Sequence, residues 1–93
     1  MSEYVTIETE PTGDPNVIEL VTNQTLTTGE PEVYNTFDEG NVGSPIAQML
    51  FDGVPGIRAL TITSDSLFIT RDPDQPWEAL VDDVRDALRD FFL

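Results

Sequence analysis

Residues 77–93 read WEALVDDVRDALRDFFL, and their spacing decides the fold. Apolar side chains at Trp77, Leu80, Val81, Val84, Ala87, Leu88 and Phe91 stand at offsets 0, 3, 4, 7, 10, 11 and 14. Those offsets follow a 3.6-residue turn and trace one stripe of a helix. The other face carries Glu78, Asp82, Asp83, Arg85, Asp86, Arg89 and Asp90. Pro76 is expected in the first turn, with Asp74 or Gln75 as cap. Asp82 with Arg85, and Asp86 with Arg89, can pair at i, i+3 for about a few tenths of a kcal/mol each. Packing must therefore hold this helix, and it needs an apolar surface to lie on. One of Phe91 and Phe92 must fall off the stripe. With Leu93 they either tuck back onto that surface or offer a contact patch.

The preceding residues supply the surface. Ile57, Ala59, Leu60 and Ile62 read as a strand, Ser64-Asp65-Ser66 as a turn, and Leu67 to Arg71 as the return strand. This hairpin is β-branched and aromatic, which suits the centre of a sheet. Pro55-Gly56 marks a turn before it. Ser44-Pro45 starts a shorter helix: serine accepts a free N–H at the N-cap, and proline loses nothing at N1. Ile46, Met49 and Leu50 share one face of it, and Gly53 is placed to cap the end in the left-handed conformation. Glu32 to Phe37 reads as a short extended piece. Tyr4 to Glu10 alternates Val5 and Ile7 with polar residues, Pro11 to Asn16 is dense in turn formers, and Val17 to Val21 is a second strand. The two strands are expected to pair as an antiparallel hairpin.

The order is β-β-(β)-α-β-β-α. It predicts an α+β, two-layer sandwich in a single domain over residues 1–93. A mostly antiparallel sheet from two hairpins carries two helices on one face.

Composition narrows the function. Among 93 residues, 18 acids face 4 bases, for a net charge of −14. The bases are Arg58, Arg71, Arg85 and Arg89, and lysine is absent. Such a chain repels nucleic acid and anionic lipid, so neither is an expected partner. The absence of lysine has two readings, adaptation to a salty cytoplasm or compositional drift; the first predicts stability rising with KCl. Cysteine and histidine are also absent, which removes disulfides, thiolate and imidazole metal sites, and Cys or Ser–His catalysis. No run of about 18 apolar residues is present to span a membrane. Met1-Ser2-Glu3-Tyr4 lacks the features of a signal peptide, so a cytoplasmic location is expected.

Candidate chemistry is sparse. Asp72-Pro73-Asp74 begins like a calcium loop, but Trp77 stands where that loop needs glycine, and Asp83 where it needs glutamate. The other acids occupy polar positions of strands, helices or loops and read as a solvated face. With no lysine for a Schiff base and no phosphate-cradling glycine loop, no enzyme activity is expected. Trp77 either closes the edge of the core or anchors a partner.

Several segments together resemble the N-terminal domain of Nfu/NifU-type iron–sulfur scaffold proteins. Residues 7–20, IETEPTGDPNVIEL, are similar to the family's T-E-x-T-P-N-P-N-x-x-K-F run, with Thr9, Glu10, Thr12, Pro15 and Asn16 matching. Gly13, Asp14, Glu19 and Leu20 depart from it, Glu19 standing in place of lysine. Residues 44–51, SPIAQMLF, resemble S-P-L-A-x-x-L-F, and Val54-Pro55-Gly56-Ile57 resembles I-P-G-V. Residues 65–70, DSLFIT, resemble a D-x-F-I-T-V hairpin, and Trp77 with Leu80 fits W-x-x-L. The resemblance runs from about Val5 to Phe91 and implies the same α+β domain.

In the full-length scaffolds a separate C-terminal domain with a C-x-x-C motif holds the cluster. The resemblance therefore implies a stand-alone N-terminal domain that ligates no cluster and carries no cofactor or metal. It implies an interaction module accessory to cluster assembly or transfer, monomeric, whose partner is a protein such as a separate cluster carrier or assembly factor. The expected working surface is Thr9, Glu10, Pro11, Thr12, Pro15 and Asn16, a loop that proline stiffens against entropy loss on binding. The competing reading makes these residues a hairpin connection that merely needs turn formers. The competing function is a peptide-binding domain unrelated to iron and sulfur, using a sheet edge and an acidic surface.

Overall fold

The computed structural model describes residues 5–92; the expectations for Met1–Tyr4 and for Leu93 lie outside the described residues. The elements are β1 (Ile7–Pro11), β2 (Val17–Thr22), β3 (Glu32–Tyr34), α1 (Phe37–Asn41), α2 (Pro45–Gly53), β4 (Ile57–Ile62), β5 (Ser66–Arg71) and α3 (Trp77–Phe92). The strands form one sheet in the order β1-β2-β5-β4-β3, with every neighbouring pair antiparallel. Both expected hairpins are present, and the apolar β5 lies at the centre as its composition predicts.

Register separates the two faces. Ile18, Ile69 and Leu60 stand side by side on β2, β5 and β4, and so do Leu20, Leu67 and Ile62. Against this floor α2 lays Ile46, Ala47, Leu50 and Phe51, while α3 lays Leu80, Val81, Val84 and Leu88. Burial of each leucine or isoleucine contributes about 1.5–3 kcal/mol, so this layer is the main source of stability. The opposite face carries the row Glu10–Glu19–Phe68–Thr61–Val33 across all five strands. Among the described residues no helix covers that face.

Five local expectations need correction. A third helix, α1, occupies Phe37–Asn41, where an extended piece was expected to reach Phe37. Thr36 caps it by accepting the Glu39 N–H at 3.1 Å, and the Glu39 carboxylate accepts the Asn35 N–H at 3.3 Å. The first bond satisfies a free donor of the helix start, and the second ties the residue before the cap to the first turn. Gly53 does not cap α2 in the left-handed region. The helix closes with the Val54 N–H on the Leu50 carbonyl at 3.0 Å, and among the described residues the one with positive φ is Gly56, at 97°. There a side chain would be strained and would also meet Gln75. Pro76 is not inside the first turn of α3. It precedes the helix, and its carbonyl accepts the Leu80 N–H at 3.2 Å. Phe91 leaves the stripe at 40% exposure, and Phe92 packs on the core instead. Of the two surface pairs, Asp86–Arg89 closes to 3.5 Å; among the described residues Asp82 and Arg85 form none.

Candidate functional site

The β1–β2 connection is a built structure. The Thr12 hydroxyl accepts the Asp14 N–H at 3.1 Å and donates to the Val17 carbonyl at 2.8 Å. The Asp14 carboxylate accepts the Asn16 N–H at 2.8 Å, and the Asp14 carbonyl accepts the Val17 N–H at 3.1 Å. Threonine and aspartate side chains mimic backbone acceptors in this way and fix turns. The loop is then fastened to the end of β5. The Arg71 N–H donates to the Asn16 carbonyl at 2.9 Å, and Arg71 Nε donates to Asn16 Oδ1 at 3.3 Å.

Arg71 and the loop together position Trp77. The indole N–H donates to the Pro15 carbonyl at 3.0 Å, across 62 residues of sequence. The Arg71 guanidinium lies 4.9 Å from the ring centroid, and a further N–H of it donates to the Gln75 carbonyl at 3.1 Å. The cation over the ring and the bonded indole edge leave Trp77 with one orientation.

Beside Trp77 run two adjoining grooves that share Ile18 and the indole. The larger, about 390 Å³, lies between β1 and α3 and is lined by Thr9, Ile18, Trp77, Val81, Glu78, Asp82 and Arg85. The smaller, about 190 Å³, is lined by Pro11, Thr12, Asp14, Pro15 and Val17 together with Ile18 and Trp77. A fixed aromatic over an apolar floor with a polar rim is the anatomy of a protein-binding hot spot.

The structure divides the six residues expected at the working surface. Thr9, Pro11, Thr12 and Pro15 come together along the grooves. Asn16 lies beneath them as the bracket for Arg71. Glu10 points to the other face of the sheet, directly opposite Glu19 on β2. The Thr12 hydroxyl is spent within the loop and Asn16 Oδ1 on Arg71, so both residues shape the surface. Ile18, Arg71 and Val81 were not legible as site residues. They read as strand or helix positions; strand pairing, the Arg71–Asn16 bonds and the long-range Trp77–Pro15 bond bring them to the loop.

The opposite end of the sheet has its own polar cluster. The Tyr34 hydroxyl donates to the Glu32 carboxylate at 2.6 Å and accepts the Ser44 N–H at 3.1 Å. Burial pushes the Glu32 carboxyl up, but hydrogen bonds from Tyr34, Ser44 and Thr27 outweigh it and hold the group below its ordinary value of 4.5. This cluster ties β3 to the start of α2. Among the described residues no group of three or more carboxylates could hold a metal ion. No helix among them is long and apolar enough to cross a membrane.

The family model for the N-terminal part of the Nfu/NifU scaffold proteins matches residues 7–93. The chain belongs to the Nfu/NifU N-terminal family. Among solved structures, a NifU-like protein from Saccharomyces cerevisiae is similar at 26% identity and a TM-score of 0.77, over 97% of this chain and 82% of that one. A protein from Staphylococcus aureus, solved by crystallography, shares the fold at 15% identity and a TM-score of 0.67, over 88% of this chain and 96% of that one. Its NMR structure matches at a TM-score of 0.60 and 14% identity, over 87% of this chain and 86% of that one. Among curated proteins none matches the sequence.

Most of the residues that resemble the Nfu/NifU N-terminal pattern are fold determinants. Ser44 caps α2, Gly56 makes the turn into β4, and residues 65–70 return as β5. The exceptions are the run over residues 7–20 and Trp77. In this Nfu/NifU domain they converge on the grooves.

Proposed function

We propose that this Nfu/NifU N-terminal domain is a non-enzymatic, monomeric docking module, accessory to the assembly or transfer of iron–sulfur clusters. The cluster is cargo rather than a ligand of this domain, because thiolate ligation needs cysteine and residues 1–93 have none. The observation that carries the reading is Trp77, held by the Pro15 carbonyl and by Arg71 at the junction of two grooves. An anchor fixed before binding loses little entropy on binding. The working surface is the groove side of the β1–β2 connection, with Thr9, Pro11 and Pro15 in contact and Thr12 and Asn16 holding the shape.

A pull-down from native lysate tests this, run at low and at molar KCl with mass-spectrometric identification. A C-x-x-C cluster carrier or assembly factor should be recovered at both salt concentrations and lost with Thr9→Arg, which fills the larger groove. Recovery of basic proteins alone, all lost in molar KCl, would instead mean non-specific attraction to the acidic surface.

A further inference from the structure

The two ends of the sheet are unlike. β3 is three residues long, lies against α1, and is tied to the start of α2 by the Tyr34–Ser44 bond. β1 is five residues long, and among the described residues no strand or helix lies beyond it. A terminal strand presents backbone N–H and C=O groups that only another extended chain can pair with fully. β1 also forms one wall of the larger groove, with α3 opposite. An edge strand beside a groove of this kind is the arrangement used for strand addition.

Charge selects the occupant. Glu8 and Glu10 project from β1 to the uncovered face, with Glu19 beside Glu10. On the groove side Glu78 and Asp82 stand along α3. Of the cations nearby, Arg71 is engaged by Asn16, Gln75 and Trp77, which leaves Arg85 on the groove wall. A second copy of β1 would lay Glu8 and Glu10 against their own kind and be repelled. An acidic segment would meet the same repulsion. A segment with lysine or arginine opposite Glu8 and Glu10 would relieve it.

Strand alternation fixes the rest of the pattern. With cationic residues opposite Glu8 and Glu10, the residue between them stands opposite Thr9 and points to the groove side. There it meets Ile18, Val81 and the fixed indole of Trp77. We propose that the free edge of β1 takes up an extended partner segment in which cationic and apolar residues alternate, the apolar ones entering the groove between β1 and α3. This deepens the proposed function. It rests on the chain being a docking module, but not on the partner's role in iron–sulfur chemistry.

The probe is a six-residue peptide of alternating lysine and valine, blocked at both ends, titrated into the 15N-labelled protein. The amides of residues 7–10 and the Trp77 indole should shift together and saturate. Glu8→Gln with Glu10→Gln should weaken binding roughly tenfold, as expected for charges that face a partner directly. Thr9→Arg should abolish it while the remaining spectrum stays that of the folded protein. A lysine peptide interrupted by proline keeps the charge but cannot form a strand, and it should not saturate.

Equal binding of the proline peptide, with shifts spread along Asp82, Asp83, Asp86 and Asp90, would overturn the proposal in favour of diffuse attraction. Preferred binding of an amphipathic cationic helix would overturn it as well. Failure of strand addition with a C-x-x-C protein still recovered in the pull-down would leave the docking module standing on another surface. Strand addition without such a protein would retain the edge and retire the iron–sulfur reading.

Discussion

The two edges of the sheet solve the same problem in different ways. At β3 the edge is cut short and tied inward. The strand is short, Tyr34 bonds Glu32 and the start of α2, and the rings of Tyr34 and Phe37 meet Phe51 edge-on at centroid distances of 6.5 and 6.1 Å. At β1 the edge is longer and is defended mainly by charge, through Glu8 and Glu10, with Pro11 at its end. A strand of three residues offers little for a newcomer to pair with, whereas charge excludes only like charge. An edge guarded in the second way remains open to a cationic strand.

Substitutions can break each side of this contrast. The largest effect is expected at the closed edge. Phe51→Ala removes the ring on which Tyr34 and Phe37 rest and should cost about 3–5 kcal/mol in urea unfolding. That approaches the whole stability of a domain this small. Gly40→Ala comes next. The added methyl would overlap the Phe51 ring, so α1 or the ring must move, at a cost of about 1–3 kcal/mol. Both variants should leave peptide binding at β1 in place wherever they remain folded.

At the open edge the costs fall and the binding effects rise. Trp77→Phe deletes the indole N–H and leaves the Pro15 carbonyl without that donor. About 1 kcal/mol of stability should be lost, and the Lys–Val peptide should bind more weakly because the ring is no longer held. At the closed edge, pH gives a milder test. The Glu32 carboxyl is depressed in the folded state, so its contribution is complete above the ordinary value of 4.5 and fades as pH falls through its lower folded value. Glu32→Gln should therefore differ most from the parent at neutral pH, with the gap in melting temperature narrowing in acid. The smallest effect is a gain. Glu10→Gln removes the like-charge pair with Glu19 and should stabilise by about 0.2–1 kcal/mol at low salt. The gain should vanish in molar KCl, where exposed charges are screened.

Periodic patterns made most of the fold legible. The stripe from Trp77 to Leu88, the Ser44-Pro45 start and the two hairpins each repeat a local rule, and each is found where that rule puts it. The short helix α1 was hidden because Phe37, Asp38 and Glu39 show no apolar stripe. Its signal was the cap, Thr36 followed three residues later by Glu39. The end of α3 was ambiguous for a different reason. Phe91 and Phe92 are adjacent, and tertiary packing decides which one turns inward. Part of the candidate site was legible: the turn formers between Thr9 and Asn16 marked the right segment. The groove was not, because Ile18 and Val81 line it, and Arg71 braces Trp77 and Asn16 beside it, through contacts that no local pattern encodes. Nor could composition show that Glu10 faces away from the other five residues, since that depends on strand register.

The most direct measurement is amide hydrogen exchange of the domain, free and with a C-x-x-C cluster carrier recovered in the pull-down. Docking at the charge-guarded edge should slow exchange in residues 7–10 and at the Trp77 indole, and leave residues 32–34 unchanged. Protection appearing at residues 32–34 with β1 unaffected would contradict the assignment of β1 and its groove as the docking surface.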